Sequence, residues 1–350
     1  MVDASTCMTT SNPQSNLQVE VLKTEKFQFK NEIEKLKFKL ESCKFCLSYV
    51  VARNKETYYT GFPSLQSLNA CYRFLGPAVD NLIYWNGGKS EIKADFKGRG
   101  RPRALAPLEE FFMVLVRLRL GLFEEDLADR FNISCSTVSR IFTTWINFLN
   151  LKFKEIPLWP PRQVINNSMP AHFSEKYPST RVIIDAGKIY VEKPSLPDVQ
   201  QLTFSTYKND NTYKVLVGIS PSGAVTFVSD LYPGSISDKK LIHFSGILKL
   251  LEKGDSVMAD RGFDIQDDLT PIGVKVNIPP FLRGKSQLDA NEMIETRRIA
   301  SERVHVERMM GRIKNFHIFD RSLPSSLTDL ANQIFFVCAV LSNFWPPLCS

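Results

Sequence analysis

Three carboxylates in this chain sit where apolar segments would deliver them to one place. Asp185 follows Val182-Ile183-Ile184, Asp260 follows Val257-Met258-Ala259, and Glu307 lies within the basic stretch from Arg298 to Phe316. The first two runs are short and apolar, so each reads as a strand that ends on an acid. At helical spacing Val306, Met309 or Met310, and Ile313 make an apolar stripe, so Glu307 rides on a core-facing helix. A fourth acid, Asp238, follows the turn Pro233-Gly234-Ser235 at the start of another predicted helix. Carboxylates from adjacent strand ends and one helix can hold two Mg²⁺ or Mn²⁺ ions about 4 Å apart. One ion would activate a water or a 3′-hydroxyl, and the other would stabilise the leaving oxygen of a phosphoryl displacement. A simpler reading competes at each position. Asp238 would cap its helix, and Glu307 would pair with Arg303, four residues earlier.

The elements that must position these acids follow from periodicity. Strands are predicted over Arg181–Val191, Tyr213–Ser220 and Ala224–Ser229, the last two joined by the turn Pro221-Ser222-Gly223. A helix from about Ser237 to Glu252 follows, then strands at Ser256–Asp260 and Val274–Ile278, with the Asp260 strand expected beside the Asp185 strand. Helices from about Ala290 to Phe316 and Leu327 to Asn343 complete the chain. This order predicts an α/β domain over residues 179–347, a mixed sheet flanked by helices with the element order of an RNase H-like fold.

Upstream the period is helical. Three helices are expected, at about 108–120, 123–131 and 136–149, with Asn132-Ile133-Ser134 as a tight turn and Ser134 as a cap. The last of them would bury Val138, Ile141 and Trp145 and expose Ser136, Thr137, Ser139 and Arg140 at its start. Small polar side chains and an arginine there suit base edges and phosphates in a major groove, which makes residues 104–158 a helix-turn-helix candidate. Plain structural helix pairs share this pattern.

Residues 60–103 read as a helical segment with a helical pair over Phe62–Trp85, then a basic linker. Its end, Lys97-Gly98-Arg99-Gly100-Arg101-Pro102-Arg103, keeps an extended backbone, so Arg99, Arg101 and Arg103 are candidates for minor-groove contacts. A solvated linker or a nuclear-import signal would have the same composition. Residues 16–50 carry Val19, Leu22, Phe29, Ile33, Leu36 and Leu40 at steps of three and four, with Lys26 in one inward slot. That predicts a coiled-coil-like helix, either a homodimer arm or a helix packed on its own chain. Residues 1–15 are polar and expected to be disordered.

Composition narrows the class. At 43% hydrophobic and 23% charged, with no run of some eighteen apolar residues and no signal-peptide core in MVDASTCMTTSNPQ, a membrane partner is not expected. Seven scattered cysteines argue for a reducing compartment. Cys43 and Cys46 have no further ligands at zinc-finger spacing, since Cys71 is next and the first histidine is His172. A net charge of +7 favours a polyanionic partner.

The stretches VIIDAGKIYVEKPS, TYKNDNTYKVLVGISPSGAVTFVSDLYPGSISDKKL, GDSVMADRGFDIQDDL and RIASERVHVERMMGRIKNFHIFD resemble DDE superfamily transposases of the PIF/Harbinger-related group. RLRLGLFEEDLADRFNISCSTVSRIFTTWINFL is similar to the helix-turn-helix that accompanies them. The resemblance implies a nuclear, metal-dependent DNA endonuclease or transposase acting on double-stranded DNA. It makes Asp185, Asp260 and Glu307 the catalytic core and adds Asp238 as a further ligand of a divalent cation, Mg²⁺ or Mn²⁺. Relatives commonly show Thr and then an acid after the first Asp, where this chain has Gly187 and Lys188. A lysine there is expected to approach Asp185 and weaken ion binding. The N-terminal THAP zinc finger common in relatives is not matched by the cysteines. These departures motivate a second reading, a catalytically weakened or domesticated descendant that binds DNA. A nuclease acting on RNA would share the acids but not the helix-turn-helix.

Overall fold

The run Thr180–Tyr190 forms the central strand, β1, of a sheet covered on both faces. Ile183 and Ile189 enter one apolar cluster, whereas Val182 and Ile184 enter another, as strand alternation requires. The other strands are β2 (Phe204–Ser205), β3 (Asp210–Ile219), β4 (Val225–Val228), β5 (Tyr232–Pro233), β6 (Ser256–Met258) and β7 (Lys275–Asn277). In this computed structural model, which describes residues 13–42, 44–85, 103–280, 287 and 289–348, the sheet order is β2-β3-β1-β6-β7. β3 is antiparallel to β1, while β6 and β7 continue the sheet in parallel. β2, β5 and β4 pair with β3 at successive heights. The expected α/β, RNase H-like mixed sheet flanked by helices is the observed one. Asp185 does not end its strand, however: β1 continues five residues beyond it, paired with β3 without a break through Tyr190. β2, β5 and the helix Pro197–Thr203 escaped the sequence reading, because two-residue strands carry no period.

On one face pack the long helix Ala290–Lys314 and the apolar helix Ala331–Leu341; on the other lies Asp238–Ser245, through Leu241 and Ile242. The long helix opens on a capping box, with Asp289 accepting from the Glu292 N–H and Glu292 accepting from the Asp289 N–H. Ser325–Phe344 is helical, long and apolar enough to cross a membrane by length and composition. Its residues Ile334, Phe335 and Val337 to Leu341 nevertheless sit in the core.

The helix-turn-helix comprises Pro107–Leu120, Glu124–Phe131 and Cys135–Lys154. Asn132 closes the middle helix in the left-handed region (φ 52°), and Ser134 Oγ accepts the Thr137 N–H at 3.2 Å. Phe111 and Trp145 belong to the same apolar cluster as Ile334 and Phe335, so this module is welded to the sheet domain by a shared core. The expected pair over Phe62–Trp85 is one α-helix, Leu65–Leu75, followed by a 3₁₀ turn. The N-terminal helix spans Pro13–Ser42, shorter than the predicted 16–50, and Leu47–Val51 is a separate helix whose Leu47 and Val50 join the core. Residues 1–12 lie outside the described residues.

Candidate metal centre and DNA-contact surface

β1 and β6 run side by side in parallel with Ile183 opposite Met258. Two residues further along each chain come Asp185 and Asp260, so strand adjacency carries both carboxylates to one place. The third acid arrives by close packing. A Cβ on Gly187 would lie 2.5 Å from Met310 Cε, so the missing side chain lets the long helix press onto β1 at that point. Glu307 precedes Met310 by about one turn and faces the same region.

Arg303 sits among these acids. Its guanidinium is 3.3 Å from Asp260 Oδ1 and 3.6 Å from Glu307 Oε1. The arginine side chain is 11% exposed, whereas the two carboxylates are 54% and 56% exposed. The i, i+4 pair suggested by sequence is therefore present, and it extends across to the neighbouring strand. Burial pushes the Asp185 carboxyl up to about 6; the Ala186 N–H and Arg303 draw it down, and Glu307 and Asp260 push it up. Lys314, one further turn along the helix, also feels this group: its ammonium is lowered by burial and Lys208 and raised by Asp185. The sequence marks Lys314 as one of the basic residues around the apolar stripe of this helix but gives it no role at the site, although its spacing of seven from Glu307 puts both on one helical face.

Carboxylates alone, without imidazole or thiolate, are the donor set of a hard divalent ion. A guanidinium already shared by two of them demonstrates that the arrangement attracts positive charge. In donor type Asp185, Asp260 and Glu307 suit a hard divalent ion, and Arg303 occupies the place of such an ion between Asp260 and Glu307.

Asp238 is held by a lysine. It is the first residue of its helix, after the cap Ser237, and its Oδ1 is 2.7 Å from the buried Lys214 ammonium. Lys214 stands directly opposite Lys188 across β1 and β3. Lys188 is three residues from Asp185, so alternation turns it to the opposite face of the sheet. There it donates to Ser205 Oγ and lies 5.5 Å from the Tyr207 ring centre. Its ammonium is lowered by burial, Lys214 and Lys208 and raised by Asp238. The expected encounter of Lys188 with Asp185 does not occur, because the strand that carries both points them apart. Asp238 is thus paired with Lys214, while its Oδ2 lies against Gly262, two residues beyond Asp260.

On the helix Cys135–Lys154, Arg140 and Ser136 are exposed at the start, while Val138, Ile141 and Trp145 are buried as expected. Thr137 is half-buried, with its Oγ1 2.8 Å from Ser134 Oγ. Ser139 lines a cleft of about 830 Å³ between the helix-turn-helix and the segment around His317, Arg321 and Gln333. Arg103 has a different employment from the one its sequence suggested. It donates to the carbonyls of Val79, Asp80 and Leu82 at 2.9–3.1 Å and lies 3.8 Å from Glu110. Glu110 is buried and also accepts from Tyr84 Oη and from Trp145 Nε1, so Arg103 completes an internal polar cluster. Arg99 and Arg101 lie outside the described residues.

Comparison with known proteins agrees with this geometry. Residues 184–343 match the family described as DDE superfamily endonuclease. Residues 103–155 match the helix-turn-helix of DDE superfamily endonuclease. The first match spans Asp185, Asp260 and Glu307, and the second covers the three helices Pro107–Leu120, Glu124–Phe131 and Cys135–Lys154. No curated protein matches the chain.

Proposed function

We propose that the protein is a metal-dependent DNA nuclease of the transposase type, related to the PIF/Harbinger group, with Asp185, Asp260 and Glu307 as its catalytic acids. The observation that supports this is that Asp260 and Glu307 share one guanidinium while Asp185, on the adjacent strand, feels the charges of all three groups. Asp185, Asp260 and Glu307 would hold Mg²⁺ or Mn²⁺, which when bound supplies an activated water or 3′-hydroxyl and neutralises a leaving oxygen in phosphodiester cleavage. The chain's own residues prepare for that chemistry. Asp185, with its carboxyl near 6, keeps a proton in acid and gives it up towards neutrality. Arg303, paired with Asp260 and Glu307 here, would on displacement by the ion supply positive charge beside a phosphate. Arg140, at the exposed start of the recognition helix, would take a phosphate or base edge of double-stranded DNA, with Thr137 and Ser139 beside it.

Plasmid nicking with Mg²⁺ or Mn²⁺ tests this directly, run beside Asp260→Ala. Cleavage that depends on the ion and disappears in the variant is expected; equal cleavage by both proteins would refute the assignment. A second reading, a DNA-binding descendant with weakened catalysis, draws support from Arg303, whose guanidinium competes for two of the three acids. It no longer draws support from Lys188. Inert protein with intact fold and intact DNA binding would favour it.

Two further features belong to the same proposal. Leu22, Phe29, Ile33 and Leu36 are 51–62% exposed on the N-terminal helix, and no described residue covers them. Their heptad-like spacing is that of a helix paired with a second copy of itself, so a homodimer arm is proposed. Ile33→Glu should convert a dimer to a monomer in sedimentation equilibrium; a parent that is already monomeric would exclude the arm. Nuclear localisation is proposed from the DNA partner and the basic stretch Lys97–Arg103.

A further inference from the structure

A second group of potential ligands lies on another side of the long helix. The connector between the helix-turn-helix and β1 contains the short helix Ala171–Lys176, and it carries His172 to Glu302 and His305. His172 Nε2 is 3.1 Å from Glu302 Oε2, and the two imidazole ring centres are 6.4 Å apart. One nitrogen from each imidazole and one Glu302 oxygen all lie within 4.8 Å of one another. Glu302 and His305 are three residues apart on one helix, so they share a face, and the third donor comes from a different segment.

Two features ask for a further partner. The Glu302 side chain is only 6% exposed, yet its ion-pair partner is an imidazole, which carries charge only when protonated. His305 Nδ1 is buried and has no hydrogen-bond partner among the described residues, which is uncommon for a buried polar atom. His172 is 41% exposed, which leaves a path for an ion and room for a water as fourth ligand. Two imidazoles and a carboxylate with one open position are a Zn²⁺ donor set, and imidazole disfavours Mg²⁺ and Ca²⁺. Tetrahedral coordination at the usual Zn–N and Zn–O lengths needs donor atoms roughly 3.3 Å apart, within reach of small side-chain rotations.

We propose that His172, Glu302 and His305 form a Zn²⁺-class transition-metal site that fastens the connector to the long helix, separate from Asp185, Asp260 and Glu307. Successive helical residues are turned by about 100°, so Glu302 and Arg303 look to different sides, and the acids near Arg303 are not shared with this group. The ion would cross-link the two halves of the fold at the helix that also carries Glu307.

Metal-stripped full-length protein is titrated with Zn²⁺ by calorimetry, and separately with Co²⁺ while the visible d–d band is recorded. The parent, His172→Ala, His305→Gln and Asp260→Ala are compared, with thermal unfolding to establish that each is folded. One equivalent of Zn²⁺ in the parent, weakened at least about tenfold in both histidine variants and unchanged in Asp260→Ala, is expected. Zn²⁺ should also raise the unfolding temperature of the parent and of Asp260→Ala alone. Binding through Cys43 and Cys46 would be common to all four proteins and would show thiolate charge-transfer absorption with Co²⁺. Equal uptake by the parent and the histidine variants overturns the site, and so does loss of the tight equivalent in Asp260→Ala.

Discussion

Replacing Asp185 by Asn should stabilise the protein above neutral pH when divalent ions are removed. Burial raises the Asp185 carboxyl from 3.8 to about 6, so between those values the folded chain binds a proton that the unfolded chain has lost. Stability then falls as pH rises, because the folded state is the one holding more protons. The favourable contribution of the protonated carboxyl is complete below about 3.8 and gone once pH has passed about 6. A displacement of that size corresponds to about 3 kcal/mol at most, and partial solvation makes about 1–3 kcal/mol the working range. Asn keeps a carbonyl oxygen for the Ala186 N–H and never ionises, so the variant should lack this loss. Urea unfolding in EDTA at pH 5 and pH 8 reads the effect. More than half of the loss is already complete at pH 5, so the variant is expected to gain about 0.5–1.4 kcal/mol over the parent on going from the lower to the higher pH. The same gain at both pH values, or none at either, would refute the idea that a buried, poorly compensated charge is stored at Asp185. Addition of Mn²⁺ at pH 8 should erase the variant's advantage, because the ion supplies the missing counter-charge to the parent alone.

Arg140→Ala should weaken DNA binding and flatten its dependence on salt by about one phosphate contact, measured by anisotropy over a salt series. Arg103→Ala should instead lower the unfolding temperature and leave that slope unchanged, because its donors are used inside the protein. Arg303→Gln should tighten Mn²⁺ binding by calorimetry, since Asp260 and Glu307 no longer share a guanidinium. Carboxylates this exposed make the gain about 1 kcal/mol, roughly fivefold, and weaker binding would mean that Arg303 supports the site. Lys188→Glu should leave Mn²⁺ affinity unchanged while destabilising the fold, because Lys188 serves Ser205 on the far face of the sheet; a changed affinity would contradict that placement.

The residues that fix local structure are legible in the sequence. Val182-Ile183-Ile184 and Val257-Met258 specify strands, and Val306, Met309 and Ile313 specify the buried face of a helix, because periodicity is a local property. Ser134 and Asn132 likewise determined where the helix Cys135–Lys154 starts and its neighbour stops. The order of these elements carried the α/β class and made Asp185, Asp260 and Glu307 candidates for one site. Tertiary structure decided which candidates meet. Strand alternation, counted from Asp185 along an unbroken β1, sends Lys188 to the other face, and Lys214 then claims Asp238. Gly187, a departure from the family pattern in sequence, proves to be the contact that admits Met310 and seats the helix bearing Glu307. Arg303 reaches from its own helix to a strand end 43 residues earlier, and His172 reaches Glu302 across 130 positions, with nothing periodic to announce either contact. Spacing along the chain sets the face on which a side chain stands. Packing between segments sets what it faces, and that depends on every other residue in the core.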